Sequence, residues 1–338
     1  MRSINVLVLT DHLSHSKENS FYSLVNALFN HSGFGSIHIA SRGEIKNRDF
    51  FEAVEESSLF GNKVSSEIHW SQNSSCFFDP QQIGDRAFDL ILMRLPHPIS
   101  VDWLKWIENK FPRAVFVNKP TGIIETGNKR FLLGFQELCP PMKLCMDEDS
   151  IRFFAASQDI VLKPLRSYGG KGIVRIMGDT VDDGSVTTSL DEFLINNKEE
   201  IRKEGFLAMR FLKNVTEGDK RIIVIGEEIV AASLRLPPSD SWLCNVSQGG
   251  RSQFTDVTPE EISIVETLSK ELLPKGILIY GVDTLVDDEG RRVLSEINTL
   301  SIGGFPQAQI QSGRPVLKMT SDKIFNYVND ELARISAY

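Results

Sequence analysis

Three glycines in four residues, set between two apolar runs, restrict what residues 159–176 can become. Ile160-Val-Leu162 has the pattern of a short buried strand, and Lys163 ends it. Ser167-Tyr-Gly-Gly-Lys-Gly172 follows, then Ile173-Val-Arg-Ile176 restarts an alternation, which puts the glycines in a hairpin tip. Glycine lets backbone N–H groups turn inward on an anion with no Cβ in the way. A strand, a lysine and such a tip can hold a nucleoside triphosphate. The plainer reading is a mobile hairpin with a surface lysine, and this stretch alone leaves both open.

The chain around it has 338 residues, enough for two or three domains and a sizeable core. Its net charge of −8 weighs against a nucleic-acid partner, while leaving room for local basic pockets. No apolar run approaches the roughly 18 residues of a membrane helix. The first nine residues read as a strand and not as a signal peptide. Cys76, Cys139, Cys145 and Cys244 show no CxxC and no metal spacing, so free thiols and a cytoplasmic location are expected.

Asn5–Leu9, Ser36–Ala40, Asp89–Arg94 and Ala114–Val117 read as strands. Between them lie helical patterns, one behind a Ser20 N-cap and one through Trp103, Leu104 and Ile107. This alternation predicts a parallel α/β unit, with residues 41–88 irregular. Ligands of such sheets gather beyond the carboxyl ends of strands, where Asp11, Arg94 and Asn118 fall. His12 and His15 admit a metal-pair reading, but two solvated loop histidines are the expectation. Lys129 follows Asn128 at a predicted helix start, where a cation opposes the dipole unless an anion is bound. Glu217–Arg221 reads as a tight turn into Ile222–Ile225. Residues 237–252, rich in Pro, Ser and Gly, read as a mobile loop over the reaction centre with Trp242 as an apolar plug.

Asp283 ends a predicted strand 276–283, and Glu296 and Asn298 lie two apart on the returning strand, facing one side. Two carboxylates and an amide oxygen on one face suit Mg²⁺ bound to nucleotide phosphates. The alternative is a polar face turned to solvent.

Taken in order, several blocks resemble the ATP-grasp ligases, and among them the bacterial glutathione synthetases. They are Lys17–Phe21, Ile91–Arg94, Val117–Pro120, Asn128-Lys129, Ile160–Leu165 with Gly169-Gly170, Gly218–Arg221, Gly249–Arg251, Gly281–Asp283 and Glu296–Asn298. The resemblance runs through nearly the whole chain and is weakest over 41–88. It implies an α/β and α+β chain with the ATP-grasp fold: an N-terminal parallel α/β domain (1–122), a central lid (123–204) and a C-terminal catalytic domain (205–338). Lys129, Lys163, Tyr168, Gly169, Gly170, Met209, Phe211, Leu212 and Asp219 would contact ATP. Asp283, Glu296 and Asn298 would hold Mg²⁺, with Mn²⁺ as an alternative. Arg221, Arg235 and Asn298 would serve acyl transfer, and Ser20, Arg94, Asn245, Ser301, Gly303 and Gly304 would face substrate. The substrates implied are γ-glutamylcysteine and glycine, and the chain is expected to form a homo-oligomer with no nucleic acid or membrane partner.

The chain departs from the family at substrate-facing places. Trp242-Leu-Cys-Asn245 replaces a Thr-Arg-Gly-Asn run, Arg94-Leu-Pro-His-Pro98 lacks the family's acid before the prolines, and Thr299–Gly304 replaces a Ser-Pro-Thr type run. An ATP-grasp ligase acting on another amino acid or peptide is therefore a second expectation. A non-catalytic nucleotide-binding module is a third, and the retained lysines, arginine and metal donors oppose it.

Overall fold

Three β-sheets organise the residues described by this computed structural model, namely 3–53, 57–84, 88–167, 170–238, 242 and 251–336. The first comprises β1 (Ile4–Thr10), α1 (Ser20–Phe29), β2 (Phe34–Ser41), α2 (Arg48–Glu52), β3 (Leu59–Lys63), β4 (Gln81–Ile83), β5 (Leu90–Arg94), α3 (Val101–Lys110) and β6 (Val115–Val117). Strand order is β4-β3-β2-β1-β5-β6, with the last four parallel. β1 and β5 are nearly unbroken apolar runs because helices cover both faces of a parallel sheet. The α1 N-cap is Asn19, whose side chain accepts from the Phe21 N–H. Ser20 is thus the first helical residue and not the cap.

Residues 41–88, expected to be irregular, hold α2 and the antiparallel edge strands β3 and β4. No local period marks them because side chains take over much of the pairing. Buried Asn47 donates to Ser41 O and Phe60 O and accepts from Phe60 N–H.

The middle sheet follows α4 (Pro120–Thr126) and a 3₁₀ segment (Lys129–Leu138). It comprises β7 (Met142–Cys145), α5 (Glu148–Ala155), β8 (Ile160–Pro164), β9 (Val174–Met177), β10 (Thr180–Asp182), β11 (Thr187–Ser189), α6 (Leu190–Asn196), α7 (Lys198–Lys203) and β12 (Phe206–Arg210). Its order is β11-β10-β9-β8-β12-β7, every pair antiparallel. The glycine tip joins β8 to β9. β12 pairs within this sheet although it lies beyond position 204. Phe206 and Ala208 point into the core of this unit, and Leu207 and Met209 into the core on the other side.

The third sheet comprises β13 (Asp219–Ile225), β14 (Glu228–Leu236), β15 (Arg251–Phe254), α8 (Pro259–Leu272), β16 (Ile279–Val286), β17 (Arg292–Asn298), α9 (Phe305–Ser312) and α10 (Val316–Ser336). It is antiparallel, ordered β15-β14-β13-β16-β17. Its inner residues share cores with the first sheet: Ile222 and Tyr280 pack with Leu7 and Trp103, and Ile223 and Val230 with Val8 and Leu24. Two expectations change. Asp219, Lys220 and Arg221 are strand residues, the turn having closed at Gly218 with φ +88°. Asp283 lies inside β16 and not at its end. Charged residues are stable there because opposite charges sit beside them on neighbouring strands.

Candidate active site

Cross-strand register assembles the polar centre. Arg221 of β13 lies opposite Asp283 of β16, and Asp283 lies opposite Glu296 of β17. Asn298 lies opposite Gly281, and Asp219 opposite Arg235 of β14. Directly opposed residues share a face, so these side chains converge on the cleft below the middle sheet.

Two buried lysines close the cleft from above. Lys163 Nζ donates to Ser295 O at 3.0 Å and so bridges β8 to β17. Lys129 Nζ donates to Ser167 O and lies 3.8 Å from Glu296 Oε1. Burial lowers the Lys129 pKa and Lys163 adds to this, while Glu296 opposes it. Two cations held against one carboxylate, out of bulk water, form a place for further negative charge.

Asp283 is buried and fully engaged. Arg221 forks onto it through Nε and Nη2, the latter 2.7 Å from Oδ2, Arg235 Nη2 lies 3.0 Å from Oδ2, and Asn298 Nδ2 lies 3.3 Å from it. Burial pushes this carboxyl up, yet the two guanidiniums outweigh burial and hold it at about 2. Arg235 also grips Asp219 by a fork, its Nε 2.6 Å from Oδ1. Burial raises Asp219 to about 6 against the pull of Arg235. Asp219 is therefore committed to Arg235, and what it offers a nucleotide directly is small.

Among the described residues, no group of three or more His, Cys, Asp or Glu side chains could enclose a metal. A cation here would take Glu296, the Asn298 carbonyl oxygen and Asp283, and complete its shell with phosphate oxygens and water, as Mg²⁺ does in nucleotide sites. The donor chemistry fits Mg²⁺, except that Asp283 is already filled by arginines.

The apolar end of the cleft is a cavity of about 90 Å³ walled by Val161, Met209, Phe211, Leu212, Val215 and Trp242, with Lys163, Asp283 and Glu296 at its polar end. Small-molecule sites measure roughly 300–1,000 Å³, so a nucleotide must open it. Trp242 is held at its wall. The indole N–H donates to Asp182 Oδ2 at 3.2 Å, and the ring lies edge-on to Phe211 at 6.1 Å. The Arg175 guanidinium packs over both rings and pairs with Asp182 at 2.8 Å. The plug expected over the reaction centre is thus found against the β9–β10 hairpin at the apolar end of the cleft. An indole has an apolar body and one N–H donor, and a carboxylate beside a guanidinium suits both. Trp242→Ala is accordingly expected to raise the KM for ATP about fivefold, the scale of one lost aromatic contact, with phosphate and product still formed one to one. Excess phosphate per product would return Trp242 to the reaction centre.

A second cluster lies across Gly281 from the first. Arg94, buried at the end of β5, donates from Nη2 to Ile302 O at 2.7 Å, and among the described residues its Nε has no hydrogen-bond partner. Burial lowers its pKa to about 10. Ser20 Oγ accepts from the Phe305 N–H at 3.3 Å, and Ser301 Oγ donates to Leu95 O at 2.6 Å. A Cβ on Gly303 would sit 3.8 Å from Ser20 Oγ, and Gly304 takes φ +93° where α9 begins. Here α1 and α9 both present N-termini beside a buried guanidinium, an arrangement that attracts a carboxylate. Ile302 joins the clusters, its Cγ2 being 3.4 Å from a Cβ placed on Gly281.

Tyr168, Gly169 and Asn245 lie outside the described residues. Gly170 has φ +78° and borders a separate groove along the tip. Two strand-end residues serve the scaffold. Asn118 donates to Ile279 O and Thr299 O and accepts from Leu278 and Ile279 N–H, which ties the first sheet to the third. Asp11 holds Arg42, whose Nη1 donates to Pro98 O at 2.7 Å and so fixes the 96–98 segment. His12 bonds Ser41, and His15 bonds Thr10 and Tyr22, so neither ring is a solvated loop group or half of a metal pair. Sequence reasoning missed the buried Lys220–Glu261 pair at 2.7 Å, to which Thr284 adds a 2.6 Å bond behind Asp283. The capping-box spacing Thr258-x-x-Glu261 was a legible signal for that glutamate.

The comparisons with known proteins agree with this geometry. The family model described as "Prokaryotic glutathione synthetase, ATP-grasp domain" matches residues 128–313. The glutathione synthetase of Rhodopseudomonas palustris is 31% identical over 230 residues, 67% of this chain and 69% of that protein. That of Neisseria meningitidis serogroup A is 26% identical over 329 residues, 95% and 98% of the two chains. Among solved structures, a D-cycloserine synthetase superimposes with a TM-score of 0.65 at 11% identity, covering 96% of this chain and 99% of that one. The D-alanyl-alanine synthetase A of Vibrio cholerae does so with 0.61 at 13% identity, covering 99% and 100%. At such identities these two speak for the fold alone.

Proposed function

We propose a reaction from the premise that this chain belongs to the prokaryotic glutathione synthetase family and is an ATP-dependent C–N ligase of the ATP-grasp fold. It joins the cysteinyl carboxylate of γ-glutamylcysteine to the amine of glycine in two steps: the carboxylate first takes the γ-phosphoryl group of ATP, with ADP leaving. The amine of glycine then attacks the acyl carbon, phosphate leaves, and glutathione results. The observation that carries this reading is the row Arg221–Asp283–Glu296 set beneath Lys129 and Lys163.

A carboxylate is a poor electrophile, so its activation needs cations gathered around the transferred phosphoryl group. Lys163 and Lys129 bind that charge, and Arg221 stabilises the oxyanion of acyl transfer, with Arg235 and Asn298 beside it. Glu296, Asn298 and Asp283 would hold Mg²⁺, whose role when bound is to neutralise charge between the phosphates. Met209, Phe211 and Leu212 face the adenine, and Arg94, Ser20, Ser301 and the Gly303-Gly304 backbone orient a substrate carboxylate. In this reading 1–122 is the substrate domain, 123–204 together with β12 the lid and the remainder of 205–338 the catalytic domain, with copies of the chain associating in the cytoplasm. The acylphosphate hydrolyses readily, so closure of the middle sheet over the cleft excludes water.

The departures at Arg94–Pro98, Trp242–Asn245 and Thr299–Gly304 favour a second reading in which the ligase takes another carboxylate or amine. Phosphate release over a panel of peptide carboxylates and amines separates the two. γ-Glutamylcysteine with glycine is expected to give the highest kcat/KM, with glutathione equal to phosphate. A faster pair would replace this substrate assignment.

A further inference from the structure

The arginines on Asp283 conflict with its use as a metal ligand. A carboxylate offers about four lone-pair sites. Here they meet Arg221 Nε and Nη2, Arg235 Nη2 and Asn298 Nδ2. No edge of Asp283 remains for a cation. Asp219 and Asp283 carry two negative charges, Arg221 and Arg235 two positive ones, so the cluster is already balanced. A divalent cation that reaches Asp283 must therefore displace one of the guanidiniums.

The arginines are not held alike. Arg235 is locked by its fork to Asp219, and its side chain is 11% exposed. Arg221 has Asp283 as its only ion-pair partner among the described residues, and its side chain is 21% exposed toward the cleft. Its stem crosses Gly281, where a Cβ would stand 3.2 Å from Arg221 Cδ and 3.5 Å from Nε. Glycine at 281 is what lets the side chain lie flat on the strand and reach Asp283.

We propose that Arg221 competes with a divalent cation for the coordinating edge of Asp283. It fills the coordinating edge of Asp283, and cation binding exchanges it outward into the cleft, where it serves acyl transfer. Asp219 is the positioning residue of this exchange, since it keeps Arg235 from following. The inference rests on the ligase reading above and adds to it an order of events: the transfer-stabilising guanidinium is released only once the metal site is filled.

The test uses the full chain with Mn²⁺ as probe and a non-hydrolysable ATP analogue, free Mn²⁺ being read by electron paramagnetic resonance. Two variants keep every charge. Arg221→Lys cannot form the bidentate fork, and is expected to bind Mn²⁺ about tenfold more tightly than wild type. Gly281→Ala pushes the Arg221 stem off the strand by a few tenths of an ångström and is expected to tighten binding at least about threefold. The alanine variant also keeps the question answerable if the lysine variant folds poorly. Affinities equal to or weaker than wild type in both variants overturn the exchange. Tighter binding in Arg221→Gln alone overturns it too, because that is simple loss of repulsion. Wild-type protein that binds no Mn²⁺ beside the analogue defeats the metal assignment itself, and this inference with it.

Discussion

Glu296→Gln is expected to leave the fold intact and to lower kcat at least about a hundredfold, the scale of losing one charge-stabilising group aimed at the reaction. Glu296 is more open than Asp283, its side chain 23% exposed, and its ion-pair contact is with Lys129 at 3.8 Å. An isosteric amide therefore leaves packing alone and withdraws one negative charge from the cation. Asp283 and Asn298 remain, so raised Mg²⁺ should recover part of the loss. The melting temperature should stay within a few degrees of the parent, since a part-exposed ion pair contributes about 1 kcal/mol or less. Normal turnover at ordinary Mg²⁺ would remove Glu296 from the metal site.

Lys163→Ala should weaken ATP binding by about 1–3 kcal/mol, the range for a charged hydrogen bond. Lys163 leaves β8 at a fixed position and is 9% exposed, so its ammonium is placed before the nucleotide arrives. Its bond to Ser295 O also ties the middle sheet to the third. The variant should hence show two effects: a weaker calorimetric affinity for ATP and faster proteolysis between the sheets without nucleotide. Lys163→Met, which keeps the stem, should restore the packing and leave the affinity low. ATP affinity unchanged in both variants would place the phosphates elsewhere.

Both experiments act on residues that short-range pattern made visible. Strand alternation repeats every two residues, so Glu296 and Asn298 had to share a face wherever β17 was placed. The apolar run before Lys163 and the glycines after Ser167 likewise determine a strand, a cation and a tight tip from neighbours alone. The order of such blocks carries the resemblance to the ligase family, and with it the three-part architecture.

What no window of sequence holds is register between distant strands. Arg221 and Asp283 are 62 positions apart, and only the pairing of β13 with β16 sets them face to face, so that a carboxylate expected to hold a metal is an arginine's partner. The same holds for Asn118, a strand-end amide whose four backbone contacts all reach the start of β16 or the residues flanking β16 and β17, and for Trp242, whose partners Asp182 and Arg175 lie on the β9–β10 hairpin. Sequence determined which chemical groups this protein carries and which faces they occupy within one strand or helix, because those follow from bonds and periods a few residues long. Tertiary structure decided which groups neutralise one another, because charge pairing depends on distances that only the folded chain defines.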